Sequence, residues 1–122
     1  MAGRILVVDD EAGLRAVLQD VLELEGYDVA VCSDVSTAGQ LAAENDFDAA
    51  LLDVFLTDEP VGITLAKQIG SVSPRTKVIL MTGYAEESDI ASGYESGVSA
   101  CIRKPFILDD VIRSIELALD AS

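Results

Sequence analysis

The sequence predicts an open α/β fold, a parallel sheet with helices on both faces, from three features. Short continuous apolar runs recur, as in strands buried on both sides. They alternate with stretches of helical period. Four of the runs end in residues able to do chemistry. Ile5-Leu6-Val7-Val8 leads into Asp9-Asp10, and Ala49-Ala50-Leu51-Leu52 into Asp53. Val78-Ile79-Leu80-Met81 leads into Thr82, and Ala100-Cys101-Ile102 through Arg103 into Lys104-Pro105. Open α/β sheets place their sites beyond the carboxyl ends of the strands. Three carboxylates, a hydroxyl and an ammonium are therefore expected at one sheet edge.

The elements follow in order. A strand at about 4–8 precedes a helix at about 11–25. In that helix Leu14, Val17, Leu18, Val21 and Leu22 share one face, and Gly26 ends it, where positive φ costs least. A strand at about 28–32 is followed by a helix at about 35–45, capped by Ser36 or a neighbour, with Ala38, Leu41 and Ala42 inward. The third strand spans about 49–53. The turn-rich run Thr57-Asp58-Glu59-Pro60-Val61-Gly62 leads to a helix at about 63–70. Ser73-Pro74-Arg75 precedes a fourth strand at about 77–82. A weak helix is expected at about 86–96, then a fifth strand at about 99–103. The last helix, about 109–120, has Leu108, Val111, Ile112, Ile115 and Leu119 on one face, with Asp109-Asp110 at its positive end. Five strands thus alternate with five helices. The stretch 86–96 has low helix propensity and few apolar contacts. It reads either as a marginal surface helix or as an element poised to rearrange.

Composition narrows the function. The 122 residues suit one domain, 1–122, with no linker or repeat. No apolar run approaches the ~18 residues of a membrane span, and no signal peptide is recognisable, so a cytoplasmic setting is expected. With 22 acidic and 8 basic residues the net charge is −14, which disfavours direct nucleic-acid binding. The chain has no histidine, which excludes imidazole acid–base catalysis, Ser-His-Asp triads and histidine metal sites. Its two cysteines, Cys32 and Cys101, lie in apolar contexts and read as small core residues.

The strand-end residues carry the chemistry. Asp9, Asp10 and Asp53 would repel one another unless a cation joins them or a pKa rises. With no thiolate or imidazole among them, they suit a hard cation. Mg²⁺ fits best, since it binds through few carboxylates and keeps places for water and phosphate oxygens. Lys104 and Thr82 supply an ammonium and a hydroxyl for the remaining phosphoryl oxygens. Asp53 could be the nucleophile of an acyl-phosphate.

Asp9-Asp10, Asp53, Thr82-Gly83 and Lys104-Pro105-Phe106 resemble the signature of response-regulator receiver domains, in order and spacing along essentially the whole chain. The resemblance implies a flavodoxin-like, doubly wound five-stranded parallel sheet in the order 2-1-3-4-5. It implies that Asp53 accepts a phosphoryl group from a phosphohistidine on a sensor histidine kinase or histidine phosphotransfer protein. Asp10, Asp53 and the backbone carbonyl of Phe55 would bind Mg²⁺, with Asp9 acting through a water. Lys104 would pair with the phosphoryl oxygens, Thr82 would move toward them, and the Lys104–Pro105 bond would be cis. The chain would then be a signalling switch, not a turnover enzyme, that catalyses only its own phosphoryl transfer and dephosphorylation. Its output would be a downstream protein target or output domain, or phosphorylation-dependent homodimerisation, through the 86–96 helix, the fifth strand and the last helix. In that sheet order Cys32 and Cys101 stand roughly 19 Å apart, too far for a disulfide.

Three departures stand out. Cys101 occupies a position usually held by Tyr or Phe, and Tyr84 is a candidate to replace its signal. Thr57 stands where Pro is usual, and the run to Gly62 is one residue longer. No output domain lies within these 122 residues. Two other readings are weaker. An Mg²⁺-dependent aspartyl-phosphate hydrolase of small phosphoesters would carry a second Asp where this chain has Phe55, and a cap domain. A flavin mononucleotide carrier would need a phosphate-cradling loop where Asp9-Asp10-Glu11 stands.

Overall fold

In the computed structural model, residues 3–56, 59–83, 94–95 and 97–120 are described. The apolar runs become strands β1 (Arg4–Val8), β2 (Asp28–Cys32), β3 (Ala49–Asp53), β4 (Lys77–Thr82) and β5 (Ala100–Arg103). They form one parallel sheet in the order β2-β1-β3-β4-β5. The register sets Val8 beside Leu52 and Asp53 beside Met81, so the ends of β1, β3 and β4 stop nearly level. The helices α1 (Ala12–Leu24), α2 (Val35–Glu44), α3 (Val61–Val72) and α4 (Leu108–Asp120) cover both faces.

Strand alternation divides the core in two. Leu6, Val8, Ala50, Leu52, Val78 and Leu80 pack with residues of α2 and α3. Ile5, Val7, Ala49, Leu51, Ile79 and Met81 pack with α1 and α4. Each central strand is therefore apolar on both sides, which is why these runs lack polar alternation. β2 and β5 lie at the edges and keep partly exposed positions.

Most boundaries fall within two residues of the sequence reading, and several details differ. The described residues hold four helices, not five. The expected helix at 86–96 lies outside them except for Tyr94 and Glu95. Val17 is 45% exposed rather than inward. Leu18 and Leu22 define the buried centre of α1, and helical geometry puts Val17 roughly 120° away from it. The α2 cap is Asp34, not Ser36: its Oδ1 accepts the Thr37 N–H at 2.7 Å and its Oδ2 the Thr37 hydroxyl at 3.0 Å. Gly26, just past the α1 C-cap, has φ 95°, as expected. Among the described residues no helix is long and apolar enough to cross a membrane.

The joint between β3 and α3 is tight. The Gly62 N–H donates to the Val54 carbonyl at 2.9 Å. A Cβ at Gly62 would lie 2.7 Å from Val54 Cα and closer still to the Asp53 carbonyl oxygen. Those contacts are backbone and cannot rotate away. Gly62→Ala should therefore cost about 1–3 kcal/mol, the usual penalty of overpacking, read as a lower midpoint in urea unfolding. An unchanged midpoint would contradict this packing.

Candidate functional site

Asp9 leaves the end of β1 fully buried, and Asp53 ends β3 at 6% exposure, whereas Asp10 is exposed. Carboxylate oxygens of the three lie within 4.8 Å of one another. Thr82, fully buried, ends the neighbouring β4. Its carbonyl accepts the Lys104 N–H at 2.8 Å, which fixes the chain as it turns out of β5. The Lys104–Pro105 bond is cis, as the resemblance implied.

From there the Lys104 side chain reaches back across the sheet. Its ammonium lies 2.9 Å from Asp9 Oδ2 and 3.1 Å from Asp53 Oδ2. The other carboxylate oxygens are held by backbone. Asp9 Oδ1 accepts the Glu11 N–H at 2.8 Å, and Asp53 Oδ1 the Phe55 N–H at 3.2 Å. The Arg15 guanidinium donates to the Asp9 carbonyl at 2.7 Å. Asp10, Asp53 and Lys104 line an open cleft of about 940 Å³ with Leu14, Phe55 and Phe106 as apolar wall.

The charges are mutually tuned. Burial pushes the Asp53 carboxyl above its usual 3.8; the Lys104 hydrogen bond and charge oppose that rise, and the Asp9 charge adds to it. Burial pulls Lys104 down, but its bonds to Asp9 and Asp53 and their charges outweigh burial and leave it above 10.5. Three carboxylates against one ammonium leave a formal excess of two negative charges. The donors are all hard oxygens, and Asp10 opens onto solvent, so the set fits a hydrated divalent cation such as Mg²⁺.

The residues singled out from the sequence thus converge: Asp9, Asp10, Asp53 and Lys104 directly, Phe55 along the cleft, and Thr82 at the next strand end. Cys32 and Cys101 are both free. Cys101 is partly buried, which raises its thiol, and its N–H donates to the Tyr94 hydroxyl at 3.2 Å. Tyr84 and Thr57 lie outside the described residues. Sequence reasoning missed Arg15 and Tyr94. Arg15 had one visible mark, being the only basic residue in α1. Tyr94 had none, because the period around it is too weak.

The family description "Response regulator receiver domain" matches residues 5–116. The chain belongs to this family. The receiver is 34% identical over 119 residues to the transcriptional regulatory protein SrrA of Staphylococcus aureus, covering 98% of this chain and 48% of that protein. It spans about half the length of the curated relatives it matches. A CheY-like receiver domain from Methanospirillum hungatei superposes with a TM-score of 0.94 at 30% identity, covering 99% of this chain and 96% of that one. The beryllofluoride-activated NtrC4 receiver domain dimer matches with a TM-score of 0.89 at 29% identity, over 97% of each chain. Receiver domains of two-component systems are signalling switches that bind Mg²⁺ at an acidic pocket.

The tuning has a measurable consequence in the metal-free protein. Because the Asp53 carboxyl lies above its ordinary value when folded, its contribution to stability is present below that value and lost as pH rises through the raised one. The elevated Lys104 keeps its contribution up to about pH 10.5 and loses it above. At neutral pH the ionised Asp53 is thus a net cost. Asp53→Asn should stabilise the metal-free receiver by about 1 kcal/mol at pH 7, with the gain shrinking as pH falls toward 4. Thermal melts at both pH values measure it; a destabilised variant at pH 7 would contradict the assignment.

Proposed function

We propose that residues 1–122 act as one receiver domain that takes a phosphoryl group onto Asp53 from a histidine kinase or histidine phosphotransfer protein. The observation that carries this reading is the Lys104 ammonium held between Asp9 and Asp53, with Asp10 beside them at the cleft. Asp10, Asp53 and the Phe55 carbonyl would hold Mg²⁺. Asp9 would act through a water, as the likeness to receiver domains implies. Bound Mg²⁺ would neutralise the carboxylates and the incoming phosphoryl charge.

The chain's own groups do the rest. An Asp53 carboxylate oxygen attacks phosphorus as the bond from phosphorus to the donor imidazole breaks, and the imidazole leaves with that electron pair. Lys104 moves its ammonium from carboxylate to phosphoryl oxygen, and the Thr82 hydroxyl donates to another. Water later cleaves the acyl-phosphate, so dephosphorylation uses the same residues. The 86–96 stretch would form the fifth helix and, with β5 and α4, would present the changed surface to an output domain, a separate protein target or a second receiver. The SrrA relative is a transcriptional regulator and the NtrC4 receiver a dimer, which supports those two kinds of output. The setting would be cytoplasmic, with no direct nucleic-acid contact by this domain. The hydrolase alternative gains no support, since Phe55 stands where its second Asp would be.

Incubation with Mg²⁺ and acetyl phosphate should add the mass of one phosphoryl group, and Asp53→Asn should abolish it. Labelling that survives the substitution would sink the assignment. Mg²⁺ at a hundred times its Kd should also stabilise the receiver by about 2.7 kcal/mol. Asp10→Asn should lose most of that gain in thermal melts.

A further inference from the structure

We propose that Arg15 is a positioning residue for the metal site, fixing the Asp9–Asp10 peptide so that the Asp10 carboxylate faces the cation. The inference rests on reading Asp9, Asp10 and Asp53 as the Mg²⁺ site. Asp9 is held at every polar group. Its N–H donates to the Cys32 carbonyl at 3.2 Å, Oδ1 accepts from the Glu11 N–H at 2.8 Å, and Oδ2 accepts from Lys104 at 2.9 Å. The fourth group, the carbonyl of the peptide that leads into Asp10, accepts from Arg15 Nη1 at 2.7 Å.

The first three bonds are made by backbone or by Lys104 and do not depend on the side chain at position 15. The fourth does. A peptide plane tethered at its carbonyl oxygen cannot rotate freely, so the direction in which Asp10 leaves the strand is set there. Asp10 needs this more than its partners do. Asp9 and Asp53 are fixed by burial, whereas Asp10 is exposed. The Arg15 backbone N–H also donates to the Glu11 carbonyl at 3.0 Å, anchoring its own turn of α1 to the end of the same loop. The acidic turn is thus held at its backbone by Arg15 and at its carboxylates by Lys104.

Charge and positioning make opposite predictions. A guanidinium beside the site repels a divalent cation, so by charge alone its removal tightens Mg²⁺ binding. By positioning, its removal weakens binding, because Asp10 loses its fixed direction. Outer groups that orient metal ligands typically change affinity by about 10-fold or more.

Isothermal titration of the whole chain with MgCl₂ decides the sign. Arg15→Met keeps the apolar stem and removes donor and charge; its Kd should rise about 10-fold. Arg15→Lys should recover at least half of that loss on a logarithmic scale. In metal-free protein, Arg15→Met should also speed hydrogen exchange of the Asp10 amide while the β3 amides stay protected. A Kd that is unchanged or lower in Arg15→Met overturns the proposal. Arg15→Gln replaces it under the same criterion if Arg15→Met does not fold. Failure of the unsubstituted protein to bind Mg²⁺ overturns the cation-site reading and this inference with it. Normal binding in both proteins overturns the Arg15 role alone.

Discussion

The crowding of Asp9, Asp10 and Asp53 within 4.8 Å is the constraint on which the rest of this structure turns. Like charges at that spacing repel by about 3.5 kcal/mol per pair at an effective dielectric near 20. Two of the three are almost wholly removed from water, so solvent does little to relieve them. One ammonium, delivered by Lys104 to Asp9 and Asp53 together, balances part of the charge. Burial first, and the uncompensated Asp9 charge with it, keep the Asp53 carboxyl above the ordinary carboxylate range despite that ammonium. A site left short of positive charge is receptive to a cation. The same shortage makes the metal-free site costly to fold.

Holding such a cluster needs a rigid platform, and the double-faced sheet supplies it. β3 is buried along its whole length, and both its neighbours pair with it in parallel register. Apolar burial on two faces at about 25 cal/mol per Å² provides the favourable term against which the repulsion is set. The packing also limits sequence freedom at the edge of the site. Gly62 brings the start of α3 against the backbone of Asp53 and Val54. The Val54 N–H donates to the Met81 carbonyl at 2.9 Å, carrying the β3–β4 pairing one residue past the strand. Asp53 is thus set by its strand, by the strand beside it and by the helix above it.

The fold and most of the site were legible because they rest on strong, local signals. The strands β1, β2, β3 and β4 are short apolar runs bounded by polar residues, and their limits match the structure residue by residue. Asp9, Asp10 and Asp53 were visible because they follow such runs directly, and Lys104 because only Arg103 separates it from the run 100–102. Weaker or non-local signals were lost. Asp34 and Ser36 both favour caps, and which one serves depends on where the first turn of α2 begins; here it begins at Val35, so Asp34 takes the Thr37 N–H. Val17 sits at the margin of a stripe whose centre only packing defines. Arg15 acts on a carbonyl six residues back, a contact that no side-chain period announces.

The departure at Cys101 separates two parts of the molecule physically. The carboxylates stand at the ends of the central strands β1 and β3 and Thr82 at the end of the neighbouring β4, with only Lys104 arriving from β5. Cys101 lies on β5, the edge strand, where one flank has no further strand to pair with. An edge N–H needs a partner or water, and here the Cys101 N–H takes the Tyr94 hydroxyl. A phenol therefore still adjoins this position, but it comes from residue 94, and its ring is half exposed. A ring projecting from position 101 would couple to the core through its own strand. The Tyr94 hydroxyl meets β5 at Cys101, through its N–H and its thiol, by hydrogen bonds of a kind that contribute about 1 kcal/mol each. The link between the charged cluster and this edge thus runs through Lys104 and the β4–β5 pairing, which Thr82 and Arg103 close in register.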